Sequence, residues 1–161
     1  MPSFDIESNI NKQEITNAVD QSARELTTRY DFKGTQTSIM FAEDKIMITS
    51  TTEERMNAGS QVLIEKLVKR KVSPKILSNY SDSKEGKEQI KRTYELSSGI
   101  SQDNAKYLLK EIKKFSKKIQ VSIQGPSLRV SSKKKDELQD TITFVKNMKL
   151  NYPVNFTNFK D

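Results

Sequence analysis

Two hairpin-like segments, each lying between two helical stretches, constrain this chain most. TQTSIMFA (35–42) and KIMITST (45–51) are strand-like runs separated by a short polar turn. IQVSIQG (119–125) and SLRVSS (127–132) repeat the device around Gly125-Pro126, with Ile119, Val121 and Ile123 alternating against Gln120, Ser122 and Gln124. Before the first hairpin, NKQEITNAVDQSARELTTRY has a helical stripe of Ile15, Ala18, Val19, Ser22, Leu26 and Tyr30, with Asn11 and Glu14 at capping-box spacing. After it, Thr51 and Glu54 open a second helix that buries Met56, Leu63, Ile64 and Leu67. Around the second hairpin, Ser101 caps a helix with stripe Ala105, Leu108, Leu109, Ile112 and Phe115. Residues 134–149 form the last helix, on Leu138, Ile142, Val145 and Met148.

Adding the flanking runs SFDIES, KILSNY (75–80), QIKRTYEL and VNFTNF gives each half the order β-α-β-β-α-β, the ferredoxin-like order. The fold class expected is therefore α+β, with two ferredoxin-like units and antiparallel sheets. The first unit spans 1–80 and the second 89–161, with SDSKEGKE (81–88) as linker, because it is polar and carries Gly86. Each sheet keeps one face under helices and one face open. Gln120, Ser122, Gln124, Arg129, Ser131, Asn155 and Thr157 share the open face of the second sheet.

Composition narrows the chemistry. The 161 residues contain neither cysteine nor histidine. Disulfides, thiol nucleophiles, histidine acid–base work and zinc sites of Cys or His are excluded. The phosphate-binding patterns GxxxxGK[ST] and GxGxxG are missing, so no cofactor and no metal is expected. MPSFDIESN has no basic or apolar leader character and no run approaches a membrane span, so a cytoplasmic location is expected, with no membrane partner.

The net charge is +7, and it is unevenly spread. Between Ser101 and Lys135 stand Lys106, Lys110, Lys113, Lys114, Lys117, Lys118, Arg129, Lys133, Lys134 and Lys135 against only Asp103 and Glu111, an excess of eight. The plain reading is the solvated face of a helix; the sharper one is a footprint for a polyanion such as RNA. Base stacking on the central strands is disfavoured, since KIMITST and SLRVSS lack aromatics.

The segment RYDFKG (29–34) also has two readings. Gly34 ends a helix, Arg29 and Lys33 face its negative end and Phe32 fills the core. Alternatively Arg29, Asp31 and Lys33 converge on a phosphate or a guanine edge. The structural reading is preferred.

MPSFDIES, RYDFKG and the terminal NFTNFKD together resemble the YajQ family of bacterial proteins, described as nucleotide-binding and in some members as cyclic di-GMP receptors. The resemblance implies two ferredoxin-like domains that exchange their first strands, so that the strand at 3–8 joins the second unit and QIKRTYEL the first. It implies a nucleotide-binding protein. The reading adopted is a non-enzymatic protein that binds a guanine nucleotide or cyclic dinucleotide, with Phe4, Asp5, Arg29, Asp31, Phe32 and Lys33 as candidate contacts read from the residues themselves. The alternatives are a non-specific RNA-binding protein using the lysine face, and an enzyme acting through carboxylates or lysine. No protein partner is indicated.

Overall fold

The computed structural model describes residues 1–161. Its elements are β1 (Ser3–Glu7), α1 (Lys12–Thr28), β2 (Ser38–Ala42), β3 (Lys45–Ser50), α2 (Glu53–Lys69), β4 (Tyr80–Lys84), β5 (Ile90–Glu95), α3 (Gln102–Phe115), β6 (Gln120–Gln124), β7 (Ser127–Ser131), α4 (Lys135–Lys146) and β8 (Asn155–Lys160). Helix starts follow local chemistry: the side chains of Asn11, Thr52 and Ser101 accept from the backbone N–H groups of Glu14, Arg55 and Asn104. The second cap is thus Thr52, one residue beyond the expected Thr51.

The strands form two four-stranded antiparallel sheets, in the orders β2-β3-β5-β4 and β6-β7-β1-β8. Each is the ferredoxin-like sheet, and each takes its first-strand position from elsewhere in the chain. β1 pairs with β7 and β8, placing Phe4 opposite Val130 and Asp5 between Arg129 and Thr157. β5 pairs with β3 and β4. The N-terminal unit therefore comprises Ile10–Ser97, and the C-terminal unit Met1–Asn9 with Ser98–Asp161.

Three expectations change. Residues 81–88 are no linker: Tyr80–Lys84 is an edge strand and Glu85–Gln89 the turn that returns as β5, closed by the Glu85 N–H donating to the Gln89 carbonyl at 2.8 Å. All five β4 residues are exposed, so the strand has the composition of a linker. KILSNY is not a strand either. Pro74–Leu77 is a 3-10 turn that buries the neighbours Ile76 and Leu77, and adjacent burial does not fit an alternating strand. Finally, α1 ends at Thr28 because Arg29 is extended, at φ −73° and ψ 131°. That break swings Tyr30 off the buried stripe and leaves it 85% exposed.

Each unit has its own core. Ile15, Val19, Leu26, Ile46, Ile48, Met56 and Leu63 pack in the N-terminal unit. Phe4, Ile6, Leu108, Ile112, Leu128, Val130 and Val145 pack in the C-terminal one. No helix is long and apolar enough to cross a membrane.

Candidate nucleotide-binding site

RYDFKG forms a tied-down turn. Arg29 donates from Nε and Nη2 to the two carboxylate oxygens of Asp31 at 3.0 and 2.7 Å, and from Nη1 to Glu25 at 3.1 Å. Arg55 donates to Asp31 Oδ2 at 3.1 Å, and Lys66 to Glu25 at 2.8 Å. Phe32, 3% exposed, lies beneath the guanidinium groups of Arg29 and Arg55, at 4.9 and 5.5 Å from its ring centroid. Hydrogen bonding to Asp31 and Glu25 raises the Arg29 pKa, and the Arg29 guanidinium in turn holds the Asp31 carboxyl below its usual range. Arg29 and Asp31 are therefore spent on each other. Lys33 is exposed, with its ammonium 5.6 Å from the Tyr30 ring centroid.

Phe4 and Asp5 belong to the other unit, so the six expected contacts do not form one set. Phe4 is fully buried between Phe156 and Phe159 and has no surface to offer a ligand. Phe32 is unavailable for the same reason. Both were expected as contacts because an aromatic beside charged residues has the same appearance in sequence whether it is core or platform. Asp5 lies on the open face of the second sheet, where it accepts from Arg129 Nε at 3.0 Å and from the Asn158 amide at 2.9 Å. Arg129 is the main reason its carboxyl stays below the usual range. Arg129 is thereby separated from the lysines with which the sequence groups it.

The lysines themselves divide. Lys106, Lys110, Lys113 and Lys114 lie on α3, and Lys135 pairs with Asp161 at 2.6 Å. Lys117 and Lys118 precede β6, and Lys133 and Lys134 precede α4. These two loops meet at one end of the C-terminal unit around a pair of adjoining clefts. The first, of about 440 Å³, is lined by Phe115, Ser116, Lys117, Lys118, Glu137 and Asp140. The second, of about 320 Å³, is lined by Lys118, Gln120, Lys133 and Lys134 with Met1, and shares Glu137. Glu137 is held by the hydroxyl of Ser132 and by Lys118 at 4.0 Å. Phe115 is 43% exposed and stacks on Phe144 at 4.4 Å between centroids. One end of the unit thus offers ammonium groups for phosphates, an aromatic surface for a base and the Asp140 carboxylate as an acceptor. Sequence reasoning found the lysines but missed Phe115 and Asp140 as partners, because a hairpin and more than one turn of helix separate Phe115 from Asp140. The i, i+3 spacing of Glu137 and Asp140 on one helix face was the available signal.

The fold defines a class: two ferredoxin-like units with exchanged first strands. The family described as "Nucleotide-binding protein YajQ-like" matches residues 2–160, and the chain belongs to it. A protein of Thermobifida fusca named "Nucleotide-binding protein" is 46% identical over 160 residues, covering 98% of this chain and 97% of that one. Proteins of the same printed name from Mycobacterium avium and Hahella chejuensis are 42% and 41% identical. The first covers 98% of both chains and the second the whole of both.

Proposed function

We propose that this protein binds a guanine nucleotide or a cyclic guanine dinucleotide, without turnover, at the lysine-rimmed clefts of the C-terminal unit. The observation that carries the reading is the convergence of Lys117, Lys118, Lys133 and Lys134 with Phe115 and Asp140 around two adjoining cavities. The family and the names of its relatives support the ligand class. Lysine suits phosphate as a mobile point charge. Phe115 suits a stacked base. The Asp140 carboxylate accepts from the N1 and N2 donors of guanine, whereas adenine presents an acceptor at N1 that the carboxylate cannot match. A cyclic di-GMP supplies two phosphates and two such bases to the paired clefts.

Calorimetric titration with GTP, ATP, cyclic di-GMP and a short single-stranded RNA at two salt concentrations tests this. Saturable binding that prefers guanine, weakens with Lys118→Ala and loses its base preference with Asp140→Asn is the expected result. Equal binding of ATP and GTP, unchanged by Asp140→Asn, sinks the guanine assignment.

A second reading, RNA binding, is favoured by one observation. Lys106, Lys110 and Lys113 recur along α3 over roughly 10 Å at 1.5 Å per residue, none of them in an ion pair, and lead towards the clefts. RNA binding along this stripe falls steeply with salt, by about 0.7 in the log–log slope for each phosphate neutralised on a single strand. The nucleotide site gives a shallow slope.

A further inference from the structure

The N-terminal unit has a depression of its own on the open face of its sheet. Its floor is unusual. Met40 of β2 and Met47 of β3 stand directly opposite each other in register, and Met40 is 54% exposed. The rest of that face is hydrophilic by register: Ser38 faces Thr49, Thr49 faces Lys91, and Met47 faces Thr93. The α1 and α2 helices cover the opposite side, where Ile39, Ile46, Ile48 and Tyr94 are buried. The two thioethers are therefore not core residues that failed to find cover. They form an apolar strip on a face otherwise made for water.

The strip is rimmed. The β4–β5 turn brings Glu85 and Gln89 to it, Lys91 stands beside it, and the Ser38 and Thr49 hydroxyls hydrogen-bond to each other at 2.6 Å. The depression is open to solvent and measures about 280 Å³. A floor of two polarizable sulfurs favours a flat aromatic ring over a branched aliphatic group. A rim with a carboxylate, an amide, an ammonium and hydroxyls favours a ring that carries donors and acceptors along its edge. A purely hydrocarbon ring would leave those polar groups desolvated and unmatched. The volume falls just below the usual range of small-molecule pockets, about 300–1,000 Å³, and suits one heterocycle with its sugar left partly in solvent. We infer that the Met40–Met47 depression is a second site, specific for a purine base, that needs no phosphate. It lies in a different unit from the lysine-rimmed clefts and stands or falls independently of them.

The test uses nucleosides, which carry no phosphate for the lysines to hold. Methyl-labelled methionine gives five reporters in the full-length protein: Met40 and Met47 at the site, Met56 in the core of the same unit, and Met1 and Met148 in the other unit. Titration with adenosine and guanosine is expected to move the Met40 and Met47 methyl signals upfield, saturably and independently of salt, with Met56 unmoved. Met40→Ser, at a more than half-exposed position, is expected to weaken binding about tenfold, the upper end of a sulfur–ring contact. Gln89→Ala in the turn gives a second variant, with the same expected direction. Lys118→Ala is expected to leave the titration unchanged. No shift, an equal shift with uridine or ribose, or a shift spread to Met56 overturns the inference. Loss of nucleotide binding in the clefts with the nucleoside response intact breaks only the other proposal.

Discussion

The two units share one order of elements and one sheet order, yet they handle charge in opposite ways. Five of the six arginines lie in the N-terminal unit. There Arg29, Arg55, Arg70 and Arg92 are all matched to carboxylates. Arg92 is the clearest case. Only 9% exposed, it grips Asp82 of the edge strand through two nitrogens, donates to the Ser60 hydroxyl of α2 and lies 5.0 Å from the Tyr80 ring centroid. In the C-terminal unit the cations are mostly lysines on one helix and two loops, largely without partners. The difference teaches that topology does not decide where charge goes. A planar, forked guanidinium locks strands and turns together, whereas flexible ammonium groups are left facing water, where an anion can recruit them.

The comparison breaks most readily at β1. Phe4 is wholly enclosed in the C-terminal core, and Phe4→Ala is expected to cost about 3–5 kcal/mol there. Hydrogen exchange resolved by segment should show residues 98–161 losing protection while 10–97 keep theirs; equal loss in both would show that the units do not fold separately. Next comes Asp82→Ala, which leaves the Arg92 charge buried without its acceptor. A cost of about 1–2 kcal/mol is expected, tempered by the partial exposure of Asp82. It should fall on the N-terminal unit alone in the same experiment.

Acid sharpens the contrast. In the N-terminal unit, hydrogen bonds from Lys66 and Arg29 hold the Glu25 carboxyl below its ordinary 4.5, and Arg92 holds Asp82 below 3.8. In the C-terminal unit Arg129 does the same for Asp5. A carboxyl depressed in the folded state contributes stability above its unfolded pKa, and that stability is lost as pH falls through the folded value. Protection in the N-terminal unit should start to decline just below pH 4.5, and in the C-terminal unit only below about 3.8. Asp5→Asn should flatten the second decline and not the first. The smallest effect is Tyr30→Ala, at 85% exposure, expected within about 0.5 kcal/mol by urea denaturation.

Much of the fold was legible because periodicity reports burial directly. In the α3 stripe Ala105, Leu108 and Ile112 are buried as read, with Leu109 half-buried and Phe115 exposed; Ile119 and Val121 are buried and Ile123 half-buried. What local pattern cannot report is which sheet a strand joins. SFDIES alternates identically whether it pairs with β3 or with β7; only the family resemblance pointed to the exchange. β4 was missed because an edge strand with no buried residue has no period to detect. At the candidate site the lysines were visible as composition. Asp140, Phe115 and the facing Met40 and Met47 were not, since their proximity depends on loop geometry and strand register.

The exchange of β1 also sets a timetable. A ribosome releases Phe4 and Ile6 well before their partners Leu128 and Val130, which emerge over 120 residues later. At about 5–20 residues per second that is a delay of roughly 6–25 s. Residues 10–97 contain everything their own sheet requires, so the N-terminal unit can close in the interval while the β1 strand waits for its partners. A segment made early is thus used late, when the hairpin that receives it has emerged.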